Sequence, residues 1–515
     1  MNKSNVFLMF FLNLIFSTFL FGVQKGSESL VTIEPQANFP AADSDNKMLA
    51  FGCFKNGFNL EDATTSCTFE SIFPVSGSIT LNGGTLYLES NLHLTNVTTF
   101  TSLGKICGQN HILILDSSID ALSDSVHDTI FEDIEMYLNG DLTLSNTVRF
   151  NGNCYVNGKD RRIVLDSDAQ VVVGSNSTLT IKNVNVHGLN RNKFKCLDNT
   201  GKIILDNVSC MQDGNFSFTV GKLEIENNVE ISGNYTFYYD CLQTVTVQND
   251  SELLFNNGIT FAVGTQNELA KDRIFYFVDD TSKIWIDNAN MHIGSGGARV
   301  TRGTLIVGGL VEIEIDSTDT TNGIIFGDGT AENDMLAQFR PASYVNFLNG
   351  HVSYNNASPT KFQSMSRYSK LVRGVSNTFH IEHDMVFSNV TIKVEPNSAL
   401  TVADGTEVSY QGCKLLLPTV KFSIDGSRYN TYTTLLDGNE EIFLEEGIFP
   451  LYLVIGNSGN TIRGNGDITG LITLANSDAE LTLNLDGQIA NNILLNGGNV
   501  ILSRDIEFSQ NYGFL

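Results

Sequence analysis

Leu179-Thr180-Ile181-Lys182-Asn183-Val184-Asn185-Val186 sets two apolar-polar-apolar triplets on either side of one asparagine. Period-two alternation puts Leu179 and Ile181 on one side of an extended strand, and Val184 and Val186 on one side of the next. Asn183 stands where the chain must turn, and asparagine reaches left-handed backbone angles more readily than most residues. Working back toward Arg162, Ile163-Val164-Leu165 and Val171-Val172-Val173 are two further brief apolar runs. Three or so brief strands per coil, with no amphipathic helix between them, is the arrangement of a β-helix.

The same signature, apolar-x-apolar-x-Asn-(Val or Ala)-x-apolar, recurs far along the chain. Ile203 to Cys210 carries it around Asn207, Ile284 to Met291 around Asn288, and Met385 to Ile392 around Asn389; Leu92 to Val97 begins the same way. Stacked asparagines of this kind can hydrogen-bond from coil to coil. A second motif, Gly-x-apolar-x-apolar-x-x-x-apolar-x-apolar, runs from Gly84 to Leu94, Gly140 to Phe150, Gly221 to Ile231 and Gly498 to Phe508. Here glycine makes the corner and two strands follow.

No coil of this length buries its apolar face alone, so each uses its neighbours, and the strands pair in parallel. The expected fold is all-β, a right-handed parallel β-helix; irregular repeat length argues against the left-handed hexapeptide type. At roughly 20 to 25 residues per coil and about 4.8 Å per coil, the repeats predict a rod on the order of 90 Å long. Abundant glycine (45) and scarce proline (8) suit many tight turns between strands that need their amide donors.

Composition narrows the function classes. With 42% hydrophobic and 17% charged residues the chain has material for a continuous core. A net charge of -26 repels phosphate backbones and anionic lipids, which excludes nucleic acid as an expected partner. Residues 1–22 read as a signal peptide: Lys3 precedes an apolar run from Val6 to Phe21 broken only by Asn13, Ser17 and Thr18. The expected location is therefore secreted or at the cell surface, with no membrane span in the mature chain. In a glycosylating host, Asn96, Asn215 and Asn234 are acceptor sites.

Residues 23–76 lack the repeat and contain Pro35, Pro40 and Pro74, the expectation for a linker and N-terminal cap. The β-helix is expected over 77–515, and the chain stops seven residues after a full repeat that ends at Phe508, without a clean cap. That ending reads as a truncation, or as a last coil covered by a partner copy. His351 to Gly374 holds Lys361, Arg367, Lys370 and Arg373 with no acidic residue, the expectation for a solvated excursion or a lateral binding loop.

Eight cysteines in an exported chain permit pairing. Cys53 with Cys67 and Cys196 with Cys210 share one spacing, which can bring two residues close across a turn of a solenoid, so these are the two candidate disulfides; buried thiols are the alternative. Cys107, Cys154, Cys241 and Cys413 show no metal-ligand spacing. His380 and His383 flank Glu382 but point to different faces of an extended segment. Glu440-Glu441 and Glu445-Glu446 would attract Ca²⁺, yet no calcium loop accompanies them, so no metal or cofactor is expected.

The repetitive region resembles the pectin-lyase-like superfamily of right-handed β-helices, which includes polysaccharide lyases, glycoside hydrolases, tailspikes and autotransporter passengers. The periodicity carries this resemblance. Ile284-Trp285-Ile286-Asp287-Asn288 looks like the Trp-Ile-Asp-His element of pectate lyases, with Asn288 where that family has His. The same residues form one copy of this chain's own repeat, and the other copies carry no Trp and no catalytic logic. A lyase of that type also implies a carboxylate-bound Ca²⁺ and an Arg base; Asp279, Asp280 and Asp287 with Arg299 or Arg302 are the residues that would supply them. No Asn-Thr-Asp, Gly-His-Gly, Gly-x-Ser-x-Gly or His-Glu-x-x-His motif accompanies them.

A weaker resemblance is to polymorphic outer-membrane autotransporters, in Gly497-Gly498-Asn499-Val500, Gly296-Gly297-Ala298-Arg299, and the Phe-x-x-Asn runs at Phe508 and Phe150. That family's C-terminal barrel has no counterpart here. The expected function is thus a non-enzymatic adhesin-like or passenger-type β-solenoid that presents strand faces to a glycan or protein. The rival is a carbohydrate-active β-helix enzyme with a diverged site, which requires Asp279, Asp280, Asp287 and Arg302 to meet in one groove.

Overall fold

The computed structural model describes residues 47–50, 57–59, 66–69, 75–102, 104–116, 119–120, 128–265, 275–316, 324–340 and 343–348. It also describes the strands alone between 351 and 417, and then 434–436, 438–444, 448–449 and 452–515. Residues 1–46, and with them the expected signal peptide, lie outside this set, as do Cys53, Arg367, Glu382, His383, Asn389, Cys413, Glu445 and Glu446. Residues Ala42–Leu515 form one compact unit. It is a parallel β-solenoid.

Each full coil contributes to three strand faces. On the first face, the segment Phe216 to Phe218 of the strand Lys202–Phe218 pairs with Thr236–Tyr239, which pairs with Thr260–Val263, Asn290–Ile293 and Leu310–Ile315 in turn. On the second, Cys154, Leu179, Ile203 and Leu223 stand one above another. On the third, Ile163, Val186, Cys210, Ile231, Phe255, Ile286 and Val307 form one inward column. Burial alternates with the period of two read from the sequence, as in buried-intermediate-buried for Val245–Val247.

The inward columns merge into a single core. Its middle is an aromatic ladder: Phe237 lies 5.4 Å from Phe261, which lies 4.6 Å from Phe255 and 5.4 Å from Phe275. Offset rings at these spacings add to the area that each buries. Buried Lys193 is satisfied by backbone where the chain turns: its Nζ donates to the carbonyls of Leu165 (2.9 Å) and Gly188 (2.8 Å), while burial pulls its pKa down.

The asparagine corners form as expected. Asn183, Asn207 and Asn288 have φ of 50°, 54° and 48°, and Asn207 Nδ2 donates to Asn183 Oδ1 at 2.8 Å across the coil. The motif marks two different corners, however. Asn183 and Asn207 turn the chain from the second face to the third, whereas Asn288 turns it from the third to the first, with Asn257 (φ 58°) below and Gly309 (φ 61°) above. It encodes a turn conformation, and either corner can use one.

Three expectations change. Parallel stacking begins before Gly77: Lys47–Ala50 pairs with Ser66–Phe69, and Gly57–Asn59 with Ser78 to Thr80. Within His351 to Gly374 the described residues are not an excursion: His351–Tyr354, Thr360–Ser364 and Lys370–Arg373 are successive strands in the stack, each paired with the coils on both sides. The basic composition of this stretch leaves the backbone ladder uninterrupted at these strands.

The third concerns cysteines. Cys196 and Cys210 are buried free thiols, not a disulfide. The coil that separates Val186 from its register partner Cys210 is longer than the gap between the two cysteines, so that gap carries the chain from one face to another. Cys196 stacks over Val173 on the first face, while Cys210 stacks between Val186 and Ile231 on the third. Cys67 is buried and its expected partner, Cys53, is outside the described residues. Burial raises the Cys196 thiol to about 11 and the Cys210 thiol to about 12. At pH 8 well under one per cent of either is therefore thiolate. Iodoacetamide should leave both unmodified in native protein and label both in denaturant without reductant; tryptic peptides linked through Cys196 and Cys210 would contradict this.

Candidate functional site

Outward positions on the third face make a continuous strip along the solenoid. In register, Asn185, Ser209, Glu230, Leu254, Trp285 and Ile306 follow one another, one per coil, at about 4.8 Å spacing. The lower half of this strip is a groove of about 270 Å³ lined by Asn185, Asn207, Ser209, Glu230, Glu252 and Leu254 among others. It exists because the asparagine corner bounds it on one side and small outward side chains leave the sheet uncovered. Asn256 Nδ2 donates to Glu230 Oε1 at 3.4 Å from the coil above, orienting that carboxylate along the strip.

The upper half centres on Trp285, the sole tryptophan of the chain. Its flanking residues Ile284 and Ile286 point into the core, which forces the indole outward. The Arg340 guanidinium lies over the ring, 4.3 Å from its centroid, and sits 3.8 Å from Asp287 Oδ2. A planar cation on an indole face is favourable by about 0.5–2 kcal/mol and holds both groups in place. Gly308, one coil up, is needed for this: a Cβ there would stand 2.9 Å from Asp287 Oδ1 and 3.2 Å from Trp285 Nε1. Arrays of hydroxyl-sized polar groups beside an aromatic-cation pair can bind a polyhydroxylated or peptide ligand by hydrogen bonding and stacking.

The four residues required by the enzymatic rival do not meet. Asp279 sits in the turn before Lys283–Asp287, where Thr281 Oγ1 (2.6 Å) and the Thr281 amide (2.9 Å) donate to it and hold its carboxyl below the usual range. Asp280 is largely exposed and lies 3.7 Å from Arg302 Nε. Asp287, seven residues after Asp280, lies at the far end of the strand Lys283–Asp287 and faces Arg340. Asp279 thus serves a turn, and Arg302, at φ 63°, forms the corner itself.

Sequence reading singled out Trp285 and Asp287 but missed the groove and Arg340. The signal was there in part: adding one coil at a time to Asn185 leads to Ser209 and Glu230. Variable coil lengths, from 19 residues between Ser66 and Thr85 to 34 between Leu310 and Tyr344, prevent that arithmetic from reaching Arg340. No helix among the described residues is long and apolar enough to cross a membrane. Comparison with known proteins yields no matching family model, no matching curated protein and no matching solved structure.

Proposed function

We propose that this chain is a secreted or surface-exposed, non-enzymatic β-solenoid of the adhesin or passenger type, which binds a glycan along its third face. The resemblances to pectin-lyase-like helices and to autotransporter passengers belong to this reading and support it at the level of architecture. The observation that carries it is the strip itself: a polar groove continuous with an outward Trp285–Arg340 pair on one rigid sheet. Rigid, preformed faces lose little entropy when a ligand docks. The acidic groups Glu230 and Glu252 favour hydroxyl donors over anionic ligands there.

A glycan array probed with the full chain, run beside a reducing-end and unsaturated-product assay on the same polysaccharides, tests this. Binding without cleavage is expected. Trp285→Ala should weaken the best ligand by about thirtyfold, the ~2 kcal/mol typical of a buried aromatic anchor. Product formation, or a Trp285→Ala variant that binds as wild type does, would remove the proposal.

A further inference from the structure

On the neighbouring first face, away from the strip, His292 and Glu314 are register partners on adjacent strands, Asn290–Ile293 and Leu310–Ile315. Asp316 follows that second strand and accepts or shares a proton with His292 Nε2 at 2.8 Å. One ligand atom from each of the three lies within 4.8 Å of the others. The column brings no counter-charge to them: Ala262 precedes His292 in register and Leu348 follows Glu314. Among the described residues no lysine or arginine pairs with Glu314 or Asp316.

The chain contains its own comparison. His93 and Asp116 make the same bridge one coil apart, but the register partner of His93 is Ile114, and Asn139 closes the arrangement by donating to Asp116 at 2.8 Å. A His–Asp bridge between coils therefore needs no third acid. At His292 the isoleucine position is a glutamate, which sets a second carboxylate beside the first and the imidazole.

We propose that His292, Glu314 and Asp316 bind a divalent transition-metal ion, Zn²⁺ in the first instance. One imidazole nitrogen and two carboxylate oxygens suit a borderline cation better than Ca²⁺, which takes six or more oxygens. Zinc holds such donors at about 2.0–2.2 Å in a tetrahedron, so donor atoms come to about 3.4 Å apart, within reach of rotations of these three partly exposed side chains. The fourth position faces solvent and is open to water or to a donor from a bound partner.

Zinc sulfate titrated calorimetrically into the full chain, at a pH above the ordinary histidine range near ~6.5, should show one equivalent bound. Cobalt(II) in its place should give the visible absorption of a low-coordinate site. Glu314→Gln and His292→Ala should each weaken binding at least about tenfold, with unchanged far-UV circular dichroism, and His93→Ala should leave it intact. No uptake by the wild type, wild-type affinity in Glu314→Gln, or equal loss in His93→Ala each overturns the site.

Discussion

Phe261→Ala is expected to destabilise the solenoid by about 3–5 kcal/mol, the range for emptying a fully buried aromatic site. Phe261 has no exposed surface and touches four rings: Phe237, Tyr239, Phe255 and Phe275. Those rings belong to successive coils and to different faces, so the side chain couples coils as well as filling space. In a stack where each coil contacts only its neighbours, weakening one interface should also divide unfolding into two steps. Urea denaturation followed by far-UV circular dichroism reads both effects. A loss under ~1 kcal/mol with one sharp transition would show that the ladder does not interlock the coils.

Gly464→Ala should be as damaging for a different reason. Gly464 closes the strand Asn460–Gly464 at φ 119°, a conformation that side chains rarely adopt, and a Cβ there would stand 1.8 Å from the Leu444 carbonyl oxygen. That oxygen belongs to the backbone of the coil below and cannot swing aside. Positive φ alone costs about 1–2 kcal/mol, and relieving the clash means separating two coils, so a total of about 3 kcal/mol or more is expected. By contrast Gly513→Ala meets nothing within 4 Å and should be neutral. Equal midpoints for the two variants in the same denaturation assay would be the contrary result.

These two positions show what kind of information each level carries. The alternation on either side of Asn183 was readable as two strands, and Asn183, Asn207 and Asn288 were readable as corners, because both properties depend on a few neighbouring residues. The role of Phe261 in joining Phe255 to Phe275 was not readable, since it depends on which coils stack at which register. Likewise, Cys196 and Cys210 share a spacing with Cys53 and Cys67, but equal spacing says nothing about face when the coil is longer than the gap. The basic stretch from His351 looked like an insertion on charge alone, yet its strands stay in the ladder because backbone pairing is indifferent to side-chain charge.

The candidate sites divide in the same way. Trp285 and Asp287 stood out by residue type, and Asp279, Asp280 and Arg302 were grouped with them by proximity in the chain. The solenoid separates that group by a strand length and instead gives Trp285 a partner, Arg340, from two coils away. His292 and Glu314 attracted no notice in the sequence, because they stand 22 positions apart and only the register makes them adjacent.

What residue order determined by itself, then, was the all-β class, the strand-and-corner grammar and the chemistry of each outward position, all consequences of local sterics and period-two burial. Which outward positions become neighbours was decided only by the stacked structure. Coil length varies freely as long as the inward residues meet, so lateral adjacency is a product of packing and not of spacing.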